Sequence, residues 1–254
     1  MLFVRKLHKW LSLIVGLQLL LWTVSGLVFA WLDHHDVSAE HSVRALDPTA
    51  VSARKTLAEP ATWMDEYGRE EILEIQLVSL LDRWVWRVEA VDRIELRGAE
   101  DGQQLKIDEP LARRLALNRY AGDGQLESVA FQATPSLETR DAGAVWRAQF
   151  DDAGRTALYF SADDGYLVAA RNSSWRLFDF FWMLHTMDYA GRDDFNNPLV
   201  ITFGTAALWL ALSGFLLLFR SFRRRDFNLI GAWRRRRLTS PANAKTNGGA
   251  TDAP

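Results

Sequence analysis

Two long uncharged runs constrain this chain more than anything else in it. From Trp10 to Leu32 there are 23 residues without a formal charge, and from Pro198 to Phe219 there are another 22. At about 1.5 Å per helical residue, either run spans a hydrocarbon core of roughly 30 Å. Transmembrane helices are therefore expected at 10–32 and 198–219. Bulk composition conceals them, because a formal charge of -2 with 24% charged residues describes an ordinary soluble chain. The first run follows Arg5, Lys6 and Lys9, as a cleaved signal peptide would. Signal h-regions are roughly 7–15 residues long and end in small residues, whereas this run continues through Phe29, Trp31 and Leu32. A retained helix is the better reading.

The flanking charges set an orientation. Arg5, Lys6 and Lys9 precede the first run, and Arg220, Arg223, Arg224 and Arg225 follow the second, with Arg234 to Arg237 beyond. The inner flanks carry Asp33, Asp36, Asp193 and Asp194 instead. Short cytoplasmic flanks hold the Lys/Arg excess, so residues 1–9 and 220–254 are expected in the cytoplasm of a bacterial inner-membrane protein and 33–173 in the periplasm. The tail from Thr239 to Pro254 has the composition of a disordered segment.

Several chemistries are excluded. There is no cysteine, so neither a disulfide framework nor a thiolate site exists. No Gly-rich phosphate loop, nucleophile elbow or His-Glu-x-x-His motif occurs. The run Arg234 to Arg237 resembles a nucleic-acid patch in isolation, but beside a membrane helix it reads as topology and lipid contact; no nucleic-acid partner is expected. Asp151, Asp152, Asp163 and Asp164 fall on two hairpin turns without EF-hand spacing, and read as solvated turn carboxylates.

The segment between the runs repeats itself. "VWRVEAVDRIELRGAEDGQQL", from Val85, aligns with "VWRAQFDDAGRTALYFSADDGYLV", from Val145. Each half reads as a Trp-Arg strand, a polar turn, a second strand, then Asp-Gly at a tight turn, Asp101-Gly102 and Asp164-Gly165. Another strand precedes each hairpin, Ile72 to Val78 and Leu126 to Ala133. A helix precedes that: Thr49 to Tyr67, interrupted near Pro60, and Glu109 to Tyr120, where Leu111, Leu115 and Arg119 share a face. The expected fold is α+β, a two-helix membrane hairpin carrying two α-β-β-β repeats at about 49–107 and 108–172. An interfacial helix at 174–191 follows, capped by Ser174, ended by Gly191 and striped with Phe178, Phe181, Trp182 and His185. Asn197-Pro198 then supplies the cap and first-turn proline of the second membrane helix.

This duplicated unit, ending in Asp-Gly and set between membrane helices, resembles the PepSY domain. "RKLHKWLSLIVGLQLLLWTVSGL" and "WMLHTMDYAGRDDFNNPLVITFGTAALWLALSGFLLLF" are similar to helices of the PepSY-associated transmembrane family. Some larger members of that family look like membrane reductases that use haem to pass electrons toward periplasmic iron-siderophore complexes. The resemblance implies haem b, with histidines matched by His8 and His185 as axial ligands. This chain has two membrane helices rather than four or more, so the second ligand at each site would come from a homodimer or a neighbouring membrane protein. Protease inhibition is a further role implied by the resemblance alone.

The residues themselves leave other readings open. His8 and His185 lie at opposite faces of the bilayer and cannot share an iron within one chain. His34, His35 and His185 are grouped by the expected topology at the outer surface as a candidate metal site, since neutral imidazole suits transition metals. Neighbouring helical residues point about 100° apart, so only one of His34 and His35 would face His185. Against these stands a structural role: His185 on an aromatic interfacial stripe, donating to Asp188 or Asp193, and His8 as an anchor beside anionic headgroups. Gln18 inside the first helix is expected to face a partner helix, and Ser25-Gly26 and Ser213-Gly214 to allow close helix approach. With no catalytic constellation in the exported segment, a binding or regulatory module is expected, with lipid and a membrane or periplasmic protein as partners.

Overall fold

The computed structural model describes residues 2–45, 56–67 and 72–221, with side chains within these ranges from Lys9 to Phe215. Helix α1 runs unbroken over Leu2–Trp31, and α5 over Pro198–Ser221. Within them, Lys9–Trp31 and Pro198–Phe215 are long and apolar enough to cross a membrane. Asn197 and Pro198 open α5 in the expected roles: the Asn197 side-chain oxygen accepts from Leu199 N at 3.0 Å and Val200 N at 3.1 Å.

The chain divides into two compact units. One contains α1 as far as Gln18 and α5 from Ile201 onward. Its outward residues, among them Leu13, Leu17, Leu208 and Trp209, are exposed apolar side chains, as a lipid-facing surface requires. Val15 and Gln18 are buried instead. A groove of about 540 Å³ is lined by Leu11, Val15, Ile201, Thr205 and Trp209.

The second unit, Leu19–Val200, holds the sheets. Strands β1 (Ile72–Leu80), β2 (Arg83–Ala90), β3 (Ile94–Gly98) and β4 (Gln104–Leu105) form one antiparallel meander. After α3 (Glu109–Arg119), strands β5 (Leu126–Gln132), β6 (Val145–Phe150), β7 (Ala157–Ser161) and β8 (Leu167–Arg171) form another. Each sheet thus has four strands where the pattern predicts three. The additional strand follows the Asp-Gly turn and is short, two residues in one case, which leaves little periodicity to read.

The two sheets share one register through their first three strands. Leu77 pairs with Trp86 and Phe131 with Trp146; a register shift falls between Ile72 and Glu74 in β1 and between Leu126 and Ser128 in β5. Gly102 and Gly165 both take positive φ, 68° and 70°, and donate to Gly98 O and Ser161 O respectively. Such φ values are costly for any residue with a Cβ, which is why glycine follows aspartate at both turns. The turn carboxylates also do more than solvate: Asp101 accepts from Gln103 N and Asp164 from Tyr166 N. Asp164 is moreover buried and bonded to Arg87 Nε at 3.1 Å, and Asp152 accepts from Tyr120 Oη, Thr156 N and Thr156 Oγ1.

Among the described residues, only the second half contains the expected helix. Asp108 caps α3 by accepting from Leu111 N, with Pro110 in the first turn. Its Leu111, Ala112, Leu115 and Ala116 join Leu80, Val85 and Leu96 from the first sheet and Phe150, Leu158 and Phe160 from the second in a single core. In the first half, the described part of the expected helix, 56–67, forms two 3-10 turns, Pro60–Thr62 and Met64–Glu66; the part at 49–55 lies outside the described residues. Tertiary packing overrides the helical pattern here. Trp63 and Tyr67 are buried with Val88, and the Arg97 guanidinium sits 5.1 Å from the Trp63 ring centroid and 5.2 Å from that of Tyr67.

Candidate functional site: His185 on the junction of two helices

Helix α4 covers Ser173–Thr186. Its cap is Asn172 rather than Ser174, through a 2.8 Å bond from Trp175 N to the Asn172 side-chain oxygen. It stops five residues before Gly191 because Met187 turns left-handed, φ 56°, and Asp188 then gathers the amides of Ala190, Gly191, Asp193 and Asp194 into a closed turn. Those bonds hold the Asp188 carboxyl below its ordinary range, the Asp194 amide first among them.

Phe178, Trp182 and His185 face α1. Their ring centroids lie 4.8, 6.2 and 5.5 Å from Phe29, and Phe181 packs edge-on against Phe180 instead. The close of α4 is completed by side chains from α1 and from the cap of α5. Trp22 Nε1 donates to His185 O at 2.7 Å, and Asn197 Nδ2 donates to Thr186 O at 2.8 Å. Terminal helix carbonyls lack intrahelical donors, so these bonds meet an intrinsic need.

His185 Nδ1 lies 2.7 Å from Ser25 Oγ. That hydroxyl is also 2.8 Å from Leu21 O and 3.0 Å from Trp22 O. With its proton on a helix carbonyl the hydroxyl accepts from Nδ1–H and the Nε2 lone pair is free; with its proton on Nδ1 the imidazole is the other tautomer. Burial pushes the imidazole below its ordinary pKa, so His185 is neutral at pH 7. The expected bond to Asp188 or Asp193 is not made: Asp188 is taken by its own turn, and the partner of His185 is on α1. Ser25-Gly26 was legible as a close-approach pair; that its hydroxyl orients a histidine was not.

Charged pairs that the sequence reading did not anticipate fix the other side of α4. Asp179 is 3% exposed and pairs with Arg140 at 3.5 Å and with Arg192. Arg140 and Arg192 both have left-handed backbones, φ 50° and 62°, and Arg192 O accepts from Arg140 Nη1 and from Trp182 Nε1. One turn earlier, Glu138 receives Arg176 through two bonds, 2.8 and 3.2 Å, and the Tyr159 hydroxyl at 2.6 Å. Burial opposes ionisation of Glu138, yet Arg176 and Tyr159 hold its carboxyl below the ordinary value. Burial and Glu138 together push Tyr159 up to about 12. The visible signal was a lone carboxylate, Asp179, in the otherwise apolar stretch Leu177 to Leu184.

The remaining histidines lie elsewhere. His34 and His35 sit in the single turn α2 (His34–Val37), where His35 pairs with Glu40 at 2.7 Å and its ring is 6.0 Å from His41. His185 is anchored at Ser25, inside α1, whereas His34 opens α2 beyond the end of α1 at Trp31. The expected meeting of His34 or His35 with His185 is thus not made, and the described residues hold no group of three or more His, Asp or Glu able to bind a metal. His8 belongs to α1, but its side chain lies outside the described residues.

Together these features define an α+β protein with two repeated four-stranded sheets between two apolar helices. The family model for the PepSY-associated TM region matches residues 5–243, and the chain belongs to that family of membrane proteins. No curated protein and no solved structure matches it.

Proposed function

We propose that this is an inner-membrane binding or regulatory module, with both termini cytoplasmic and the sheet domain in the periplasm, which relays the state of that domain to its first membrane helix. The observation that carries the reading is the doubly fastened α4. Glu138 and Arg140 hold it to the sheet domain through Arg176 and Asp179, and Ser25 and Trp22 hold its far end to α1. A helix that merely rested in the interface would need neither set. Buried, hydrogen-bonded elements of this kind move as units rather than deforming continuously. Amide hydrogen exchange of the full chain in micelles tests the relay. Asp179→Asn is expected to loosen α4 and the α1 segment around Trp22 and Ser25 together; loosening confined to α4 overturns it.

A second reading has its own observation. Ser25 holds His185 by Nδ1, and with Nδ1 as the donor the Nε2 lone pair is free, the tautomer an axial haem ligand requires. The residues fit one such ligand, and haem b bound there would supply one-electron transfer, with His8 serving a second haem and other chains completing both sites. An absorption spectrum from haem-replete cells separates the readings. A Soret band lost in His185→Ala supports the electron-transfer subunit, and a featureless spectrum unchanged by His8→Ala or His185→Ala leaves the relay alone.

A further inference from the structure

Arg119, at the end of α3, continues the face of Leu111 and Leu115, both of which are in the core. It lines a cavity of about 110 Å³, together with the apolar Val78, Leu80, Leu115, Phe160 and Leu167 and the polar Asn118 and Asp164. The Arg119 Nε is buried without a hydrogen-bond partner among the described residues. Burial lowers its pKa, and among the described residues no carboxylate forms an ion pair with it. The other charged residue at the cavity, Asp164, is already taken by Arg87 and Tyr166 N. A partly buried cation with no counter-charge, above an apolar cavity, is complementary to a carboxylate on an apolar stem.

A strand edge meets the same cavity. Leu167 opens β8, which among the described residues pairs with β7 alone and is the last strand of its sheet. A peptide added to the outer edge of β8, with its end at Leu167, would run antiparallel to that strand and finish over Arg119.

We propose that the cavity captures the C-terminus of an extended peptide, its carboxylate on Arg119 and its last, aliphatic side chain among Leu80, Leu115 and Phe160. This rests on the binding-module reading and gives that module a ligand class. The test uses the full-length protein in detergent, immobilised, with a degenerate N-acetylated hexapeptide pool ending in leucine, supplied as free acid and as C-terminal amide. The acid pool is expected to be retained at least tenfold better than the amide. Arg119→Met is expected to erase that preference, and Arg119→Lys to keep part of it. Equal retention of acid and amide overturns the carboxylate site while leaving the binding module standing. Retention of neither pool overturns peptide capture here. N-acetylleucine competing as well as the hexapeptides overturns the strand addition and leaves a pocket for small free acids. The acid-to-amide ratio on the unaltered protein decides the matter even where Arg119→Met fails to fold.

Discussion

Ser25 Oγ and His185 Nδ1 lie 2.7 Å apart although 160 positions separate them in the chain, and this bond joins the end of α4 to the first membrane helix. Hydrogen bonds between membrane helices contribute about 0.6 kcal/mol on average and up to about 1.7. Ser25→Ala is expected to destabilise the protein within that range. Ser25→Ala combined with His185→Ala should cost less than the sum of the two, and a thermal-unfolding double-mutant cycle in one detergent measures the difference. Strict additivity would show that the bond contributes nothing.

The pH dependence of the same histidine has a definite sign. Burial lowers its pKa in the folded state below the ordinary 6.5, so the unfolded chain takes up the proton first as pH falls. Its contribution to stability is therefore complete above about pH 6.5 and is lost progressively below it. Unfolding midpoints of the wild type and of His185→Gln, recorded between pH 8 and 5, should converge as the solution is acidified. Parallel curves would show that His185 does not titrate differently on folding.

Asp179 stands between two arginines and is almost wholly buried. Removing one partner of a buried ion pair leaves uncompensated charge and costs about 3–5 kcal/mol. Asp179→Ala should lose most of that, and chemical denaturation is the measurement. Arg155→Ala, whose pairing with Glu127 at 3.3 Å is exposed on both sides, should change stability by less than about 1 kcal/mol.

The paired glycines at the Asp-Gly turns offer a test of the duplication. A Cβ at Gly102 would lie 2.8 Å from Trp63 Cδ1, and one at Gly165 would lie 3.0 Å from Leu115 Cδ1. The left-handed conformation alone costs roughly 1–2 kcal/mol for a residue with a Cβ. Both Gly102→Ala and Gly165→Ala are expected to lose at least that much. Gly143→Ala, where nothing lies within 4 Å of the added carbon, should be close to neutral.

Topology can be read directly because the chain has no cysteine to remove. A cysteine at exposed Asp123 is expected to react with a membrane-impermeant maleimide in intact spheroplasts. One placed at Thr251 should react only after lysis. Labelling of both before lysis would overturn the orientation inferred from the basic flanks.

Local pattern was enough for much of the architecture. The apolar runs at α1 and α5, the alternation around Trp86 and Trp146, the Asp-Gly turns and the Leu111–Leu115 face are each legible because they reflect periodicity and backbone sterics, which act over a few residues. Even Asn197 could be assigned its capping role, since a cap needs only the amides that follow it. Where the sequence misled, a distant contact outweighed a local preference. Residues 60–66 carry a helical pattern but are drawn into 3-10 turns by the burial of Trp63 and Tyr67. Ser174 is a sound cap by composition, yet Asn172 takes the position because β8 ends beside it.

What only the tertiary structure decided is the company each polar group keeps. The sequence alone places His185 on an aromatic helix face, but whether its nitrogen finds Asp188, His34 or Ser25 depends on which elements pack there. The pairing of Asp179 with Arg140 and Arg192 joins residues 39 and 13 positions apart, across loops whose backbones are left-handed at non-glycine residues. No local preference announces such positions, because the surrounding contacts hold them against their own conformational cost. Arg119 is the counterpart: its helix face was plain from spacing, and only the fold shows that nothing in the described chain answers its charge.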